Sequence, residues 1–206
     1  MDTIVAKITN DSLTDKKIYE QAGKILREGG LVAFPTETVY GLGADALDEE
    51  ASAKIYAAKG RPSDNPLIVH IADIEALYKL SCEVPDKALK LADKFWPGPL
   101  TMILKKSDIV PDSITGGLGT VAIRMPSHKV AAELIRTSGV YIAAPSANTS
   151  GKPSPTRASH VIKDLSGKID MIIEDDTVDI GVESTIIDLS EEVPTILRPG
   201  YITKEM

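Results

Sequence analysis

The sequence predicts an α/β fold with a mixed sheet. Short runs of apolar and β-branched residues alternate along the chain with segments whose apolar residues recur at helical spacing. This alternation is typical of a sheet that carries helices on its faces. The last three apolar runs have no helical segment between them, so some neighbouring strands should be antiparallel. No internal repeat and no low-complexity linker interrupts the chain, which favours one domain over residues 1–206.

The first half of the chain alternates strands with helices. Apolar side chains at Ile18, Ala22 and Ile25 fall on one face of a helix, and Gly29 ends that pattern. The runs IVAKI, LVAF and LIVHI are short and apolar, which favours strands. We therefore expect strands over 4–8, 31–34 and 67–71, and helices over 15–28, 49–58, 74–80 and 86–95.

The second half supplies the remaining strands. The run Trp96-Pro97-Gly98-Pro99 ends the preceding helix, because proline cannot continue it. The runs LTMILK, TVAIRM and VYIAA then have strand composition. We expect strands over 100–105, 120–125, 140–144, 171–174, 184–189 and 195–198, and helices over 129–137 and 157–165.

The segment GLGADA matches the dinucleotide fingerprint G-x-G-x-x-A, but the match is out of place. In that motif the first glycine ends a strand and the helix begins at once. Here the predicted strand ends at Phe34 and the next helix begins near Glu49. The alternative is a plain loop in which Gly41 and Gly43 supply positive φ angles.

The composition excludes several classes of protein. No run reaches the ~18 apolar residues of a membrane-spanning helix, and the N-terminus lacks the features of a signal peptide, so we expect a cytoplasmic protein without a membrane partner. The single cysteine, Cys82, allows no internal disulfide, and the three histidines have no metal-ligand spacing. The net charge of −7 argues against binding nucleic acid through its phosphates, although a local basic patch would permit RNA binding.

Lys59, Arg61 and Asn65 fall in one loop after a predicted helix. The two cations could complement the dipole of that helix. They could equally bind an anion, because arginine offers a planar fork and lysine a point charge to phosphate or carboxylate. His70, in LIVHI, faces away from the leucine, valine and last isoleucine of that run, where it could serve packing or binding.

Arg124 and Arg198 each end an apolar strand, Arg124 before Met125-Pro126 and Arg198 before Pro199-Gly200. A buried arginine needs a partner, which for Arg124 would be a carboxylate of the protein or of a substrate. The segment APSANTSGKPSPT, residues 144–156, is either a flexible loop or a phosphate-binding one, since it is rich in hydroxyl groups. No Ser-His-Asp or Cys-His pairing stands out, so positioning and charge should carry any chemistry.

Seven segments, taken in order, resemble the signature blocks of the YrdC-like threonylcarbamoyl-AMP synthases. They are PTETVYGLGADA, KGRPSDNPLIVHI, FWPGPLTMIL, TVAIRMP, APSANTSGKPSPT, ESTIIDL and ILRPG. The resemblance implies a three-layer α/β fold around a twisted mixed sheet. It also implies formation of threonylcarbamoyl-AMP and pyrophosphate from L-threonine, bicarbonate or CO2, and ATP with Mg²⁺. The product would then pass to the transferase machinery that places threonylcarbamoyl groups on tRNA.

The resemblance implies roles for particular residues. The threonine contacts would be Thr38, His70, Arg124, the backbone of Ala144, and Ser184. The ATP contacts would be Arg61, Asn65, Thr120, Ser146, Ser154 and Arg198. The partner of Arg124 would be the threonine carboxylate. Lys59 and Arg61 are predicted to be catalytic, because cations would neutralise the reacting oxyanions.

Two alternatives remain open on the sequence. The first is a module that binds double-stranded RNA or tRNA without catalysis, which the acidic charge and the 4% aromatic content disfavour. The second is a carbamoyl-transfer domain like that inside hydrogenase-maturation proteins, which the single cysteine disfavours. Longer members of the resembled family continue through a linker into a second domain, which this sequence does not include.

Overall fold

The computed structural model describes residues 2–9, 11–175 and 178–206. The strands within them are β1 (Ile4–Lys7), β2 (Val32–Pro35), β3 (Tyr40–Asp45), β4 (Ile68–His70), β5 (Leu100–Lys105), β6 (Thr120–Arg124), β7 (Ile142–Ala143), β8 (Met171–Glu174), β9 (Thr185–Asp188) and β10 (Thr195–Arg198). The helices are α1 (Ser12–Arg27), α2 (Glu49–Lys59), α3 (Ala76–Leu80), α4 (Asp86–Phe95), α5 (Asp112–Thr115), α6 (Lys129–Ser138) and α7 (Ala158–Leu165).

Local capping fixes where the longer helices begin and end. The carboxylate of Asp11 accepts a hydrogen bond from the Thr14 amide at the start of α1, and Asp48 does the same for α2. Such side chains satisfy amides that have no partner inside the helix. Gly60 ends α2 and Gly139 ends α6, both in the left-handed region that glycine adopts without strain.

The strands form one mixed sheet in the order β1-β8-β2-β3-β7-β4-β6-β5-β9-β10. The pairs β1/β8, β2/β8, β4/β6 and β5/β9 are parallel. The pairs β2/β3, β3/β7, β4/β7, β5/β6 and β9/β10 are antiparallel. The predicted α/β fold with a mixed sheet is therefore confirmed.

Helices pack on both faces of the sheet and give the predicted three layers. On one face, α1 and α6 bury Tyr19, Leu26 and Leu134 against the side chains of β2, β7 and β8. On the other face, α2, α3, α4 and α7 join a larger cluster that includes Val69 and Met102. Alternate residues of each strand therefore enter different clusters, as the two-residue period of a strand requires.

Strand β3 was not predicted, because the sequence favoured a loop between Phe34 and Glu49. The two glycines of this strand serve close packing, and the predicted positive φ angles are wrong for both. A Cβ on Gly43 would lie 2.6 Å from Ile142 Cγ2 and 2.8 Å from the Phe34 ring. The sequence motif therefore records a crowded strand, and it is not a dinucleotide fingerprint.

The helices of the structure are short. Among the described residues no helix is both long enough and apolar enough to span a membrane. The short helix α5, which follows Pro111, was also not predicted. Helix α5 lies between β5 and β6 in chain order. Its buried Ile114 belongs to the larger hydrophobic cluster.

Candidate active site

A cleft of about 320 Å³ lies on the sheet face that carries α1 and α6. These helices cover β2, β7 and β8, and the cleft lies over the neighbouring strands. Its floor is formed by alternate residues of β4, β5, β6 and β9, whose other residues enter the larger hydrophobic cluster. Of the residues predicted for the site, Thr38, Arg61, Asn65, His70, Arg124, Ala144, Ser146, Ser184 and Arg198 line the cleft. The predicted residues Lys59, Thr120 and Ser154 do not.

Parallel pairing of β4 with β6 brings His70 beside Arg124. These two residues are direct partners in the register, and Ile68 is the partner of Ala122 one step along the same face. Thr120 begins β6 and is two residues from Ala122, so it shares this face but lies beyond the lining. The prediction that Thr120 contacts ATP requires a ligand that extends past the present cleft.

The Thr-Glu-Thr segment forms a tight turn between β2 and β3. The hydroxyl of Thr36 donates to the Val39 carbonyl at 2.6 Å and accepts from the Thr38 amide at 3.2 Å. The hydroxyl oxygens of Thr36 and Thr38 lie 2.9 Å apart. These bonds fix the hydroxyl of Thr38 at the wall of the cleft, where Arg124 Nη1 donates to it at 3.0 Å.

Arg124 already has a carboxylate partner in the protein. Its Nη2 lies 2.7 Å from Glu37 Oε1, with both side chains about 5% exposed. Burial alone would raise the pKa of Glu37, but the charge of Arg124 brings that pKa below its usual range. Of the two sources that the sequence left open, a carboxylate of the protein is therefore present, and a contact of Arg124 with the threonine carboxylate stays a prediction. A substrate carboxylate would share this arginine with Glu37.

His70 is a buried, neutral imidazole at the cleft floor. Its side chain packs edge-on against Phe34, and its Nδ1 lies 3.0 Å from the Ile68 carbonyl, to which it donates. Burial, and then the nearby charge of Arg124, lower the pKa of His70 to about 3. His70 thus both packs against Phe34 and lines the cleft. Its Nε2 can accept a hydrogen bond at neutral pH.

Lys59 lies beneath the segment 144–156, outside the cleft lining. Its ammonium donates to the carbonyls of Ser146 and Asn148, the second at 2.6 Å. Burial, and then the charge of Arg61, lower the pKa of Lys59 to about 8. In this position the ammonium holds the backbone of the segment, whereas the sequence predicted that it would face the reacting groups.

Asn148 belongs to the same arrangement and was missed by the sequence analysis. Its side-chain oxygen accepts from the Ser146 hydroxyl at 2.5 Å, and its Nδ2 donates to the carbonyls of Thr149 and Lys152. Asn148 is 6% exposed. Its place inside the block APSANTSGKPSPT was the available signal, because a buried amide in a polar loop needs several partners.

Arg61 lines the cleft and has a buried group without a hydrogen-bond partner among the described residues. Its Nη2 donates to the Pro66 carbonyl at 3.3 Å, and its buried Nε has no partner among the described residues. Burial lowers the pKa of the guanidinium, which still remains charged because arginine titrates far above neutral pH. An anion in the cleft would satisfy this group.

Arg61 is the cation on one side of the cleft, and Arg198 is the cation on the other side, where it contacts Ser184. Nε and Nη2 of Arg198 donate to the Ser184 carbonyl at 3.1 and 2.9 Å. The Ser184 hydroxyl lies 2.8 Å from that of Thr101. Arg198 Nη1 lies 3.1 Å from Glu183 Oε2. Sequence reasoning did not single out Glu183, although it opens the block ESTIIDL.

The described part of the chain holds no group of three His, Cys, Asp or Glu side chains that could hold a metal ion. Glu183 is the carboxylate among the cleft-lining residues. A magnesium ion here would therefore have to be held mainly by the phosphates of a nucleotide and by water.

Arginines, hydroxyls and a neutral histidine in one cleft of an α/β domain are groups that could bind a small anionic molecule. The family model Sua5_yciO_yrdC, described as "Telomere recombination", matches residues 24–200. The chain belongs to this family, and the resemblance to YrdC-like proteins is confirmed.

Relatives match nearly the whole chain. The threonylcarbamoyl-AMP synthase of Pyrococcus abyssi is 58% identical over 203 residues, which is 98% of this chain and 59% of the relative. That of Bacillus subtilis is 56% identical and covers 96% of this chain and 58% of the relative. The structure of P. abyssi Sua5 complexed with L-threonine aligns with a TM-score of 0.91 at 56% identity, over 97% of this chain and 58% of that one. The chain thus spans less than two thirds of these proteins.

Proposed function

We propose that this chain is an L-threonylcarbamoyladenylate synthase domain, an enzyme that forms threonylcarbamoyl-AMP and pyrophosphate. One observation carries the proposal: residues from all seven sequence blocks, from Thr38 to Arg198, line one cleft. The similarity to proteins named threonylcarbamoyl-AMP synthase supports it. The nucleotidyl transfer would use L-threonine, bicarbonate or CO2, and ATP.

L-threonine would bind at the end of the cleft formed by the β2–β3 turn and β4. The hydroxyl of Thr38, the Nε2 of His70 and the remaining N–H groups of Arg124 offer polar contacts there. The Ala144 backbone and Ser184 line the same cleft. A neutral imidazole suits this site, because it can accept a hydrogen bond from the substrate without adding charge.

ATP would bind between Arg61 and Arg198. Arg61, Asn65 and Ser146 line one side, and Arg198 lines the other. Thr120 and Ser154 would join when the nucleotide extends the site. The apolar side chains of Ile103, Ile186 and Leu197 lie in the same cleft, where they offer a surface for the base.

The chemistry needs positioning and charge more than a protein nucleophile. The amine of threonine captures CO2 to form a carbamate and releases a proton. A carbamate oxygen then attacks the α-phosphorus, a new P–O bond forms, and the bond to pyrophosphate breaks. Arg61 would neutralise the oxyanions directly, and Lys59 would act by holding the backbone at Ser146.

The surroundings of the reaction follow from the same proposal. Magnesium would arrive as part of the substrate MgATP. The product would pass to the tRNA threonylcarbamoyl transferase machinery in the cytoplasm. Residues 1–206 would form one YrdC-like domain, and the extra length of the relatives would correspond to further residues beyond it.

The alternatives make different demands on the cleft. A domain that only binds RNA does not require a buried neutral histidine beside a paired arginine, and the net charge is −7. A carbamoyl-transfer domain would use carbamoyl phosphate as its substrate. We keep both alternatives as outcomes of the functional test.

The test is a reaction of the protein with ATP, Mg²⁺, bicarbonate and labelled threonine, followed by mass spectrometry for the mixed anhydride. We expect threonylcarbamoyl-AMP and equimolar pyrophosphate, and a loss of about 10²-fold or more in turnover in Arg61→Ala, because a donor to a developing oxyanion is removed. Glu192→Gln, an exposed change away from the cleft, is the control. Salt-dependent RNA binding without threonine-dependent pyrophosphate release, or turnover of carbamoyl phosphate alone, would refute the proposal.

A further inference from the structure

We propose that Glu183 is an internal anion that holds two phosphate-binding donors in the nucleotide-free protein and is displaced when ATP binds. The inference depends on the proposed function, because Ser154 and Arg198 are ATP contacts only if the chain is the synthase. It assigns Glu183 as a residue that sets nucleotide affinity.

Both carboxylate oxygens of Glu183 contact donors of other segments. Its Oε1 accepts a hydrogen bond from the Ser154 hydroxyl at 2.7 Å, and its Oε2 lies 3.1 Å from Arg198 Nη1. Both donors belong to blocks that the family resemblance gives to ATP. Glu183 lines the cleft and Ser154 does not. The carboxylate therefore covers a hydroxyl that the nucleotide would need.

Arg198 keeps its place when Glu183 leaves. Its Nε and Nη2 are held by the Ser184 carbonyl, and Nη2 also lies 3.1 Å from the Ser184 hydroxyl. The group paired with Glu183 is Nη1. An exchange of the carboxylate for a phosphate oxygen at Nη1 therefore needs no movement of the arginine.

The backbone near Glu183 is held by packing against Gly200, whereas its side chain is partly exposed and held by the contacts to Ser154 and Arg198. A Cβ on Gly200 would lie 2.6 Å from Ser184 C and from Thr185 N, so the chain around Gly200 packs directly on this backbone. The Thr185 amide also donates to the Pro99 carbonyl. The side chain of Glu183 is 41% exposed, and rotation about its own bonds is enough to release both donors.

Charge supplies the reason for the exchange. A polyphosphate carries several negative charges and attracts the cations of the cleft more strongly than one carboxylate does. With the phosphates bound, Glu183 at its present position would repel them. The carboxylate therefore competes with the ligand. It stays paired with Ser154 and Arg198 until the ligand binds.

The experiment compares nucleotide binding to the wild type and to Glu183→Gln by isothermal titration calorimetry, with ATP, AMP and adenosine, each with and without Mg²⁺. Glutamine keeps the shape of the side chain and removes its charge. We expect ATP to bind about two- to fivefold more tightly to the variant, the range expected for one partly exposed ion pair. Adenosine affinity should stay unchanged. Glu192→Gln makes the same change in net charge away from the cleft and should leave ATP affinity as in the wild type.

The remaining outcomes separate the inference from the proposed function. Unchanged ATP affinity in Glu183→Gln, with normal binding by the wild type, would overturn the inference alone. Weaker ATP binding confined to samples with Mg²⁺ would also overturn it and would make Glu183 a ligand of the nucleotide-bound ion. A wild-type protein that binds none of these nucleotides would overturn both.

Discussion

At the scale of single residues, the site depends on how buried charges are paired. Arg124 lies in the cleft wall with Glu37 behind it, and both side chains are almost fully buried. Replacing one member of a buried pair leaves the other without compensation, which costs about 3–5 kcal/mol. Glu37 therefore positions Arg124 and keeps it in one conformation, although it does not itself line the cleft.

Replacing Glu37 tests this positioning. Glu37→Gln should lower the free energy of unfolding by about 3 kcal/mol and raise the KM for threonine more than the KM for ATP, since Arg124 lies on the threonine side. Chemical denaturation and steady-state kinetics measure the two effects. Glu133→Gln, which removes an exposed ion pair with Arg136, is the control and should change stability by less than about 1 kcal/mol.

The same pair should contribute to stability against acid. The pKa of Glu37 is lower in the folded protein than in the unfolded chain, where it is about 4.3. Its contribution is therefore complete above pH ~4.3 and is lost as the pH falls through the lowered folded-state pKa. An identical acid-unfolding profile in Glu37→Gln would contradict the proposed role of the pair.

His70 should not titrate in the physiological range. Its folded-state pKa is about 3, whereas an unfolded histidine titrates near pH ~6.5. The unfolded chain therefore binds the extra proton first, and the contribution of His70 to stability falls as the pH drops from ~6.5 towards 3. NMR of the imidazole nitrogens, assigned with His70→Gln, measures the midpoint. A folded-state midpoint near 6.5 would show that the imidazole is not buried as described.

Residue types in the site were readable from the sequence, but their partners were not. The position of Arg124 at the end of an apolar strand predicted a buried cation with a carboxylate partner. The sequence could not decide between Glu37 and a substrate, because the β2–β3 turn that brings Glu37 to Arg124 is a tertiary feature. Lys59 was misplaced for a similar reason: the residues that bind it lie 87 and 89 positions further along the chain.

At the scale of elements, the segment 144–156 is shaped by groups that lie beneath it. Lys59 holds its backbone at two carbonyls, and the Ser150 amide donates to the Lys59 carbonyl at 2.8 Å. Asn148 adds bonds within the segment. The buried lysine and the buried amide therefore supply contacts to the backbone of this loop, and Asp164 adds bonds to the Thr149 amide and to Lys152.

Replacement of Lys59 should loosen this segment. Lys59→Met keeps most of the side-chain volume but leaves the Ser146 and Asn148 carbonyls without their donor, at a cost of about 1–3 kcal/mol for each buried group. We expect faster hydrogen exchange at the amides of Ala147 and Ser150. Lys152→Met is the control: Lys152 lies in the same segment, and its more exposed ion pair is with Asp164 of α7. Equal protection in both variants would show that Lys59 does not hold the segment.

Strand prediction succeeded wherever side chains carried the pattern. Runs such as LTMILK and TVAIR alternate between the cleft and the larger hydrophobic cluster, and their strands were found within one residue at each end. Strand β3 was missed because Gly41 and Gly43 have no side chain to show the alternation. The force that selects glycine there is crowding by Phe34 and Ile142, which no local pattern reveals.

At the scale of the whole molecule, the cleft exists because the sheet is wider than the helices on one of its faces. Helices α1 and α6 pack on β2, β7 and β8, and the strands β4, β5, β6 and β9 leave apolar side chains together with His70 and Arg124 facing the cleft. The sequence predicted helices on the faces of the sheet and arginines at the ends of two of its strands. It could not give the strand order, which decides where the helical cover ends.

Packing of the last segment against the cleft offers a test at this scale. Gly200→Ala places a methyl group against the backbone of Ser184 and Thr185, and such overpacking costs about 1–3 kcal/mol. We expect lower stability and weaker ATP binding, since Arg198 and Ser184 would be displaced. Gly119→Ala, where an added Cβ meets nothing within 4 Å, is the control. Wild-type ATP affinity in a destabilised Gly200→Ala would separate this packing from the site.

The position of Arg198 in β10 has a consequence for synthesis of the chain. The proposed nucleotide contact of Arg198 needs β10 paired with β9, and β10 is the last strand of the described sheet. A nascent chain leaves the ribosome with its N-terminal part first. Thr38, Arg61 and His70 would therefore emerge long before Arg198, so a polypeptide that stops short of β10 would lack this contact of the proposed nucleotide site.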